Sequence, residues 1–140
     1  MGYDFSIGEA EMYAPTPEEI DTGYDRAELR VKVRAPLRAD GDGALLGGGY
    51  SWFLGWTRRV GLEDLFFDLE RPGHHNGCGL MPSHPGCARL TRAHLARFRA
   101  ALAVAEAKDP EHDDAETTRW FVRWTERALA ECKVPALYNR

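Results

Sequence analysis

The stretch with the highest density of potentially reactive side chains is RPGHHNGCGLMPSHPGC, at residues 71–87. Within it, HNGC and HPGC each place a histidine three residues before a cysteine. Imidazole nitrogen and thiolate sulfur are the ligands that Zn²⁺ prefers, in a tetrahedral arrangement. The stretch therefore predicts a candidate structural zinc site with four ligands: His75, Cys78, His84 and Cys87.

The same stretch also has an interpretation without metal. Only GLMPS separates the two pairs, so four ligands would meet in a cramped geometry. The glycines would then form turns, Cys78 and Cys87 would pack as small hydrophobic residues, and the histidines would make local hydrogen bonds. The expected cofactor is thus either none or one zinc ion.

Catalysis by these residues would need a nucleophile beside a base. Cys87 could pair with His84, His94 or His112, but the spacing selects none of these pairs. We therefore expect a protein that is not an enzyme, with a metal- or cysteine-dependent hydrolase as the minor alternative.

A second kind of site is indicated around the glycine-rich segment GALLGGGYS, at residues 43–51, which leads into SWFLGWTRRV. Backbone N–H groups at such a junction can bind an anion, while arginines supply countercharge and tryptophans stack on a base. A flexible tether beside a solvated arginine face is the alternative. The residues expected to bind a small anionic, nucleotide-like ligand are Arg30, Arg34, Trp52, Trp56, Arg58 and Arg59.

Arginine also recurs every four residues near the end of the chain, at positions 119, 123 and 127. Glutamates at positions 116, 126 and 131 lie close enough along a helix to pair with these arginines. The simplest interpretation is a solvated, charge-paired helix surface.

The elements that would position these residues are two strands followed by helices. Residues 3–7 and the alternating segment AELRVKVRAPL predict strands that could pair antiparallel. A helix should begin near Tyr50, and Thr91 should cap another. Asp113 or Asp114 should cap the last helix, whose end Pro135 marks, while residues 71–89 should be irregular. We expect an α+β fold with a small N-terminal β-hairpin or sheet packed against about three α-helices.

Composition sets further bounds. A chain of 140 residues with 44% hydrophobic residues favours one compact domain, residues 1–140. A net charge of -4 argues against general nucleic-acid binding, which depends on a basic surface. Neither a membrane-spanning apolar stretch nor an export signal is present, so we expect no membrane association and a cytoplasmic location.

Four segments carry a resemblance to a group of proteins: MGYDFS, GGGYSWF, VGLEDLFFD and HPGCARLTRAHL. Together they make the chain similar to short uncharacterised accessory proteins of phages that infect GC-rich actinobacteria. The resemblance implies a role in host takeover or counter-defence, within the host cytoplasm, and it implies no site residues. The predicted function is therefore non-enzymatic binding of a host protein or a small anionic ligand. The alternative is a zinc-stabilised interaction domain.

Overall fold

The computed structural model describes residues 2–12, 31–36, 45–67, 79–81 and 86–139. In these ranges the chain forms an antiparallel sheet of five strands and four helices, which confirms the predicted α+β class. One of the helices is a single turn. The elements in chain order are β1 (Gly2–Met12), β2 (Val31–Pro36), β3 (Leu45–Gly49), α1 (Tyr50–Val60), α2 (Glu63–Phe66), β4 (Gly86–Arg89), α3 (Arg92–Lys108), α4 (Asp113–Glu131) and β5 (Pro135–Asn139).

Strand β1 is the central strand and pairs along both of its edges. Strand β5 pairs with residues 5–9 of β1, and β4 continues the sheet beyond β5. On the opposite edge, β3 pairs with residues 2–6 and β2 with residues 8–12. The two predicted strands pair with each other, as expected. However, β1 extends well beyond residues 3–7, and β2 pairs with its residues 8–12, because β3 occupies the same edge at residues 2–6.

Three strands are corrections to the sequence prediction. The first is β3, Leu45–Gly49, which lies in the glycine-rich segment for which the sequence predicts no strand. Residues 86–89, expected to be irregular, form β4, and Pro135, expected only to end the last helix, begins β5. Proline is tolerated at the first position of a strand because no ladder hydrogen bond is required of it there. The sheet is therefore built from both ends of the chain and is not confined to its N-terminal part.

The core lies between the sheet and the three longer helices and is dominated by aromatic rings. Tyr3, Phe5 and Ile7 alternate along β1 and are all buried, as a strand with one face on the core requires. The fully buried rings that meet this face come from α1, α2, α3 and α4: Phe53, Trp56, Phe66, Phe98 and Phe121.

Helix α1 begins at Tyr50, as predicted. Gly49 precedes it in an extended conformation, and Gly61 ends it with a φ of 77°, in the left-handed region that residues with a Cβ rarely adopt. The N–H of Gly61 donates to the carbonyl of Thr57. These two glycines fix the direction in which the chain enters and leaves α1.

Helices α3 and α4 begin with different caps. Thr91 caps α3 as predicted: its Oγ1 accepts from the N–H of His94 at 3.3 Å, and its own N–H donates to His94 Nδ1 at 3.0 Å. The cap of α4 is His112, whose Nδ1 accepts from the N–H of Asp114 at 3.0 Å. The prediction of Asp113 or Asp114 as that cap is wrong, because both residues lie inside the first turn.

The turn from α4 to β5 is held by Glu9 of β1. Its Oε1 accepts from the N–H of Lys133 at 3.0 Å and its Oε2 from the N–H of Val134 at 2.6 Å. These backbone donors are the main reason that the pKa of Glu9 is lowered. The contact aligns β5 with β1.

No helix in the described part of the chain is both long enough and apolar enough to cross a membrane.

Candidate ligand-binding groove

The predicted ligand residues of α1 do not form one site. Trp56 is fully buried, its Nε1 donates to Thr118 Oγ1 at 3.0 Å, and its ring stacks on Phe121 with centroids 4.9 Å apart. The prediction that Trp56 stacks on a ligand is wrong, because both its ring and its Nε1–H donor are used in the core.

Trp52 lies at the start of the same helix and is partly buried. Its indole covers Gly48 of β3 so closely that a Cβ at that position would collide with the ring. The glycine-rich strand therefore serves a packing purpose at Gly48, and one face of Trp52 is covered by the protein itself.

Arg58 and Arg59 are at the other end of α1, about 16 Å of helix away from β3. Arg58 pairs with Glu63 at 3.1 Å, and Arg59 binds both oxygens of Asp114 at 2.7 and 2.9 Å. The Arg59 guanidinium lowers the pKa of Asp114, and Asp114 in turn raises that of Arg59. Both arginines thus have carboxylate partners and tie α1 to its neighbours. Arg30 and the side chain of Arg34 lie outside the described residues, so their role stays a prediction.

Of the predicted zinc ligands, the structure describes Cys87. It lies in β4 opposite Tyr138, is buried, and packs in a small cluster with Ala10 and Ala136. His75, Cys78 and His84 lie outside the described residues, so the zinc site stays a prediction. Within the described ranges, no three His, Cys, Asp or Glu side chains come together as a metal site would require.

Two of the three histidines considered as catalytic partners of Cys87, His94 and His112, have structural contacts, and His84 lies outside the described residues. His94 Nδ1 accepts the N–H of Thr91, and His112 Nδ1 accepts the N–H of Asp114. Burial lowers the pKa of His94, and the nearby Arg97 charge lowers it further. Both imidazoles therefore act as helix caps at Nδ1.

A cleft of about 470 Å³ lies where the ends of α1 and α3 meet the start of α4. Its charged lining is mixed: Arg59 and Lys108 are accompanied by Asp109 and Asp114, and His112 also lines the cleft. Asp114 already binds Arg59, and the Asp109 carboxylate accepts the N–H of Glu111 at 3.0 Å. Local carboxylates balance the cations, so this cleft offers no clear preference for an anion.

Helices α3 and α4 run antiparallel and are joined by two ion pairs across their outer surface. Arg99 of α3 binds Glu126 at 3.0 Å, and Arg119 of α4 lies 3.7 Å from Glu106. Arg119 also donates to the carbonyl of Pro110 at 2.7 Å. These contacts lie beside a groove between α3 and α4.

The groove has a volume of about 430 Å³ and a largely apolar lining. Its apolar side chains are Leu102, Trp120 and Val122, each partly buried, and its charged side chains are Glu116, Arg119 and Arg123. The charged lining thus carries a net charge of +1. An apolar groove with a few charged groups is typical of small-molecule sites. We name it the α3–α4 groove.

Two residues that line this groove have hydrogen-bond donors without a partner in the described structure. Arg123 is exposed and has neither an ion pair nor a hydrogen bond, unlike Arg127 on the next turn, which binds Glu131 at 3.1 Å. The Nε1 of Trp120 is buried and has no acceptor. A buried donor without a partner costs about 1–3 kcal/mol, so an acceptor brought by a ligand would be stabilising there.

Sequence reasoning assigned Arg119, Arg123 and Arg127 to a stripe paired with glutamates of the same helix. The pairing holds for Arg127, whereas Arg119 turns to Glu106 on α3 and Arg123 pairs with nothing in the described structure. In the sequence, the proximity of Trp120 to these arginines was the only indication of a binding site. The helical pattern alone does not reveal which arginine lacks a partner.

Comparisons with protein-family models, with curated proteins and with solved structures found no match.

Proposed function

We propose that this chain is a non-enzymatic binding protein that holds a small organic anion with an apolar body in the α3–α4 groove. The observation that carries the proposal is Arg123, an exposed guanidinium that lies beside an apolar lining and pairs with no carboxylate in the described part of the chain. A guanidinium binds carboxylate and phosphate oxygens through paired, charge-assisted hydrogen bonds. Arg119 already contacts Glu106, so the cation of this lining that remains available in the described structure is Arg123, which favours a ligand with one negative group.

The apolar lining of the groove implies that the ligand also has an apolar part. Leu102, Val122 and the Trp120 ring would cover an aliphatic or aromatic body, and burial of that body contributes about 25 cal/mol per Å². An oxygen of the ligand that reaches Trp120 Nε1 would supply its missing acceptor, with a small shift of the indole. The preferred ligand thus combines an anionic oxygen group with an apolar portion.

This proposal is consistent with the accessory role that the resemblance to actinobacterial phage proteins implies. Binding without turnover can remove a small signalling anion from solution, which is one way to counter a host defence. The groove replaces residues of α1 as the proposed site, because Trp56 is buried and both Arg58 and Arg59 are paired.

Isothermal titration with octanoate, benzoate, adenosine monophosphate and inorganic phosphate tests the proposal. We expect at least one of the first three to bind more tightly than inorganic phosphate, which has no apolar body. Arg123→Gln should then weaken binding about tenfold or more, since a hydrogen bond to a charged group contributes about 1.5–3 kcal/mol.

Arg58→Gln is the matched control, because Arg58 is also an exposed helical arginine but lies outside the groove. Trp120→Phe should remove most of any ligand-induced change in tryptophan fluorescence while Trp52, Trp56 and Trp124 remain. If none of the four anions binds, or if both arginine variants weaken binding equally, the proposal is wrong.

A further inference from the structure

Helix α3 is apolar on two opposite faces, although only one of them faces the core. Its inner face is buried, whereas the outer face consists of five exposed alanines and, beside them, Val104, which is 44% exposed. The outer face of a surface helix is normally polar. The exposed alanines of this face, named the outer α3 face, are Ala93, Ala96, Ala100, Ala103 and Ala107.

The spacing of these alanines alternates between three and four residues over the length of the helix. That spacing keeps one side of a helix in contact with a second helix along a shared seam. Small side chains there allow two helix axes to approach to the short end of the usual range of about 8–10 Å. The outer α3 face therefore has the shape of a helix-pairing surface.

The charges along α3 supply an independent observation that specifies the partner. Arg92, Arg97 and Arg99 make its N-terminal half basic, whereas its C-terminal half carries both Glu106 and Lys108 and is followed by Asp109 and Glu111. A helix dipole favours the reverse distribution, with acidic residues near the N-terminus. The arrangement is unfavourable for α3 alone and complementary to an antiparallel copy of itself.

Arg92 is the clearest case. Arg97 binds Asp64 and Arg99 binds Glu126 within the chain, but Arg92 makes no ion pair in the part of the chain that the structure describes. Glu106 keeps a side-chain exposure of 44%, beside its contact with Arg119 at 3.7 Å. Arg92 near the start of α3 and Glu106 near its end are thus accessible charges of opposite sign, and the exposed Lys108 follows Glu106.

We propose that a second copy of this chain packs antiparallel along the outer α3 face. When Ala96 lies against Ala100 of the second copy, Arg92 of each copy lies opposite Val104 of the other, about 3 Å along the helix axis from Glu106. The long Arg92 side chain can span that offset. A parallel pair would instead bring the two basic halves together and align the two helix dipoles unfavourably. The contact is two-fold symmetric, as is usual for soluble homodimers.

The dimer should be weak. Helix α3 has 17 residues and is about 25 Å long, so one helix pair buries less than the roughly 1,200 Å² typical of stable interfaces. We therefore expect reversible association that depends on protein concentration. The outer alanines do not line the α3–α4 groove, so the dimer would leave the groove open, although Glu106 also contacts the groove residue Arg119.

Sedimentation velocity over a wide range of concentration tests the proposal directly. The native chain should shift from monomer to dimer, and Ala100→Glu should raise the dissociation constant at least tenfold by placing a charge in the seam. Ala130→Glu, at an exposed alanine of α4, is the matched control and should leave the dimer unchanged. Circular dichroism should give the native spectrum for both variants, which checks that they are folded. A native chain that stays monomeric, or a dimer that survives Ala100→Glu, overturns the proposal.

A charge exchange then tests the antiparallel orientation. Arg92→Glu alone and Glu106→Arg alone should each weaken the dimer, because each places like charges opposite one another. The double variant should restore association toward the native level. If the double variant is no better than the single ones, the antiparallel pairing is wrong.

Discussion

The inner and outer faces of α3 belong to the same helix, yet their side chains have different contacts. The inner face presents Leu95, Phe98, Ala101 and Ala105, all buried against the core. The outer face presents only small residues and Val104, all exposed. Both faces are apolar, so hydrophobicity alone does not distinguish them.

What distinguishes them is the size of the side chains and the presence of a partner. Phe98 fits between Phe66 and Phe121, with ring centroids 6.3 and 5.2 Å away, so its shape is matched by neighbours in the chain. The outer alanines have no such neighbours in the described structure. The inner face contributes to folding, and the outer face is free to contribute to association.

Removing the largest inner side chain should have the largest effect. Phe98→Ala leaves a cavity beside two rings and should lower the free energy of unfolding by about 3–5 kcal/mol. Chemical denaturation measures this change. A loss below about 1 kcal/mol would mean that the inner face is not a packed interface.

Enlarging an alanine separates the two faces most sharply. Ala101 is 3% exposed, so Ala101→Leu should overpack the core and cost about 1–3 kcal/mol of stability. Ala100→Leu, one position away on the outer face, should change monomer stability by no more than about 0.5 kcal/mol. Equal losses in thermal unfolding of dilute samples would contradict the assignment of the faces.

The start of α3 should have a smaller effect. Thr91→Ala removes the side-chain acceptor for the N–H of His94 and should cost about 1 kcal/mol. Thr91→Ser keeps the oxygen and should retain most of the stability, which urea denaturation of both variants can establish.

The same cap should respond to pH. Burial lowers the pKa of His94 in the folded chain below its ordinary value of 6.5, so the folded chain binds this proton less readily than the unfolded chain. Its contribution to stability is present above pH 6.5 and is lost as the pH falls through the lowered pKa. Protonation also removes Nδ1 as the acceptor of the Thr91 N–H.

His94→Gln isolates this contribution, because the Gln oxygen can accept the same N–H and does not titrate. When the pH is lowered from above 6.5 to below it, we expect the free energy of unfolding to fall less in the variant than in the native chain. Identical pH profiles would show that His94 contributes nothing to the acid sensitivity.

Features set by neighbouring residues were predictable from the sequence. The start of α1 after Gly49, the Thr91 cap and the α+β class each follow from a local pattern, and the structure confirms them. By contrast, β4 and β5 are four and five residues long, and strands that short carry too little periodicity to be recognised.

The candidate site could not be predicted for a related reason. Trp56 donates to a residue 62 positions away, and Arg59 binds one 55 positions away, so the burial of one and the pairing of the other depend on the packing of α4. Arg123 and Arg127 look equivalent in the sequence, and only the folded arrangement distinguishes the unpaired arginine from the paired one. Sequence patterns identified the kinds of residue present but not their partners.

The position of β5 between β1 and β4 has a consequence for biosynthesis. In the described sheet, β4 is paired with β5 and not with β1, so β4 has no place in the sheet until β5 has left the ribosome. The pairing of β1 with β5 joins segments at opposite ends of the described chain, and contacts so distant in sequence form slowly. During translation the earlier elements must therefore wait with one edge of β1 uncovered, a period in which the nascent chain is most exposed to aggregation.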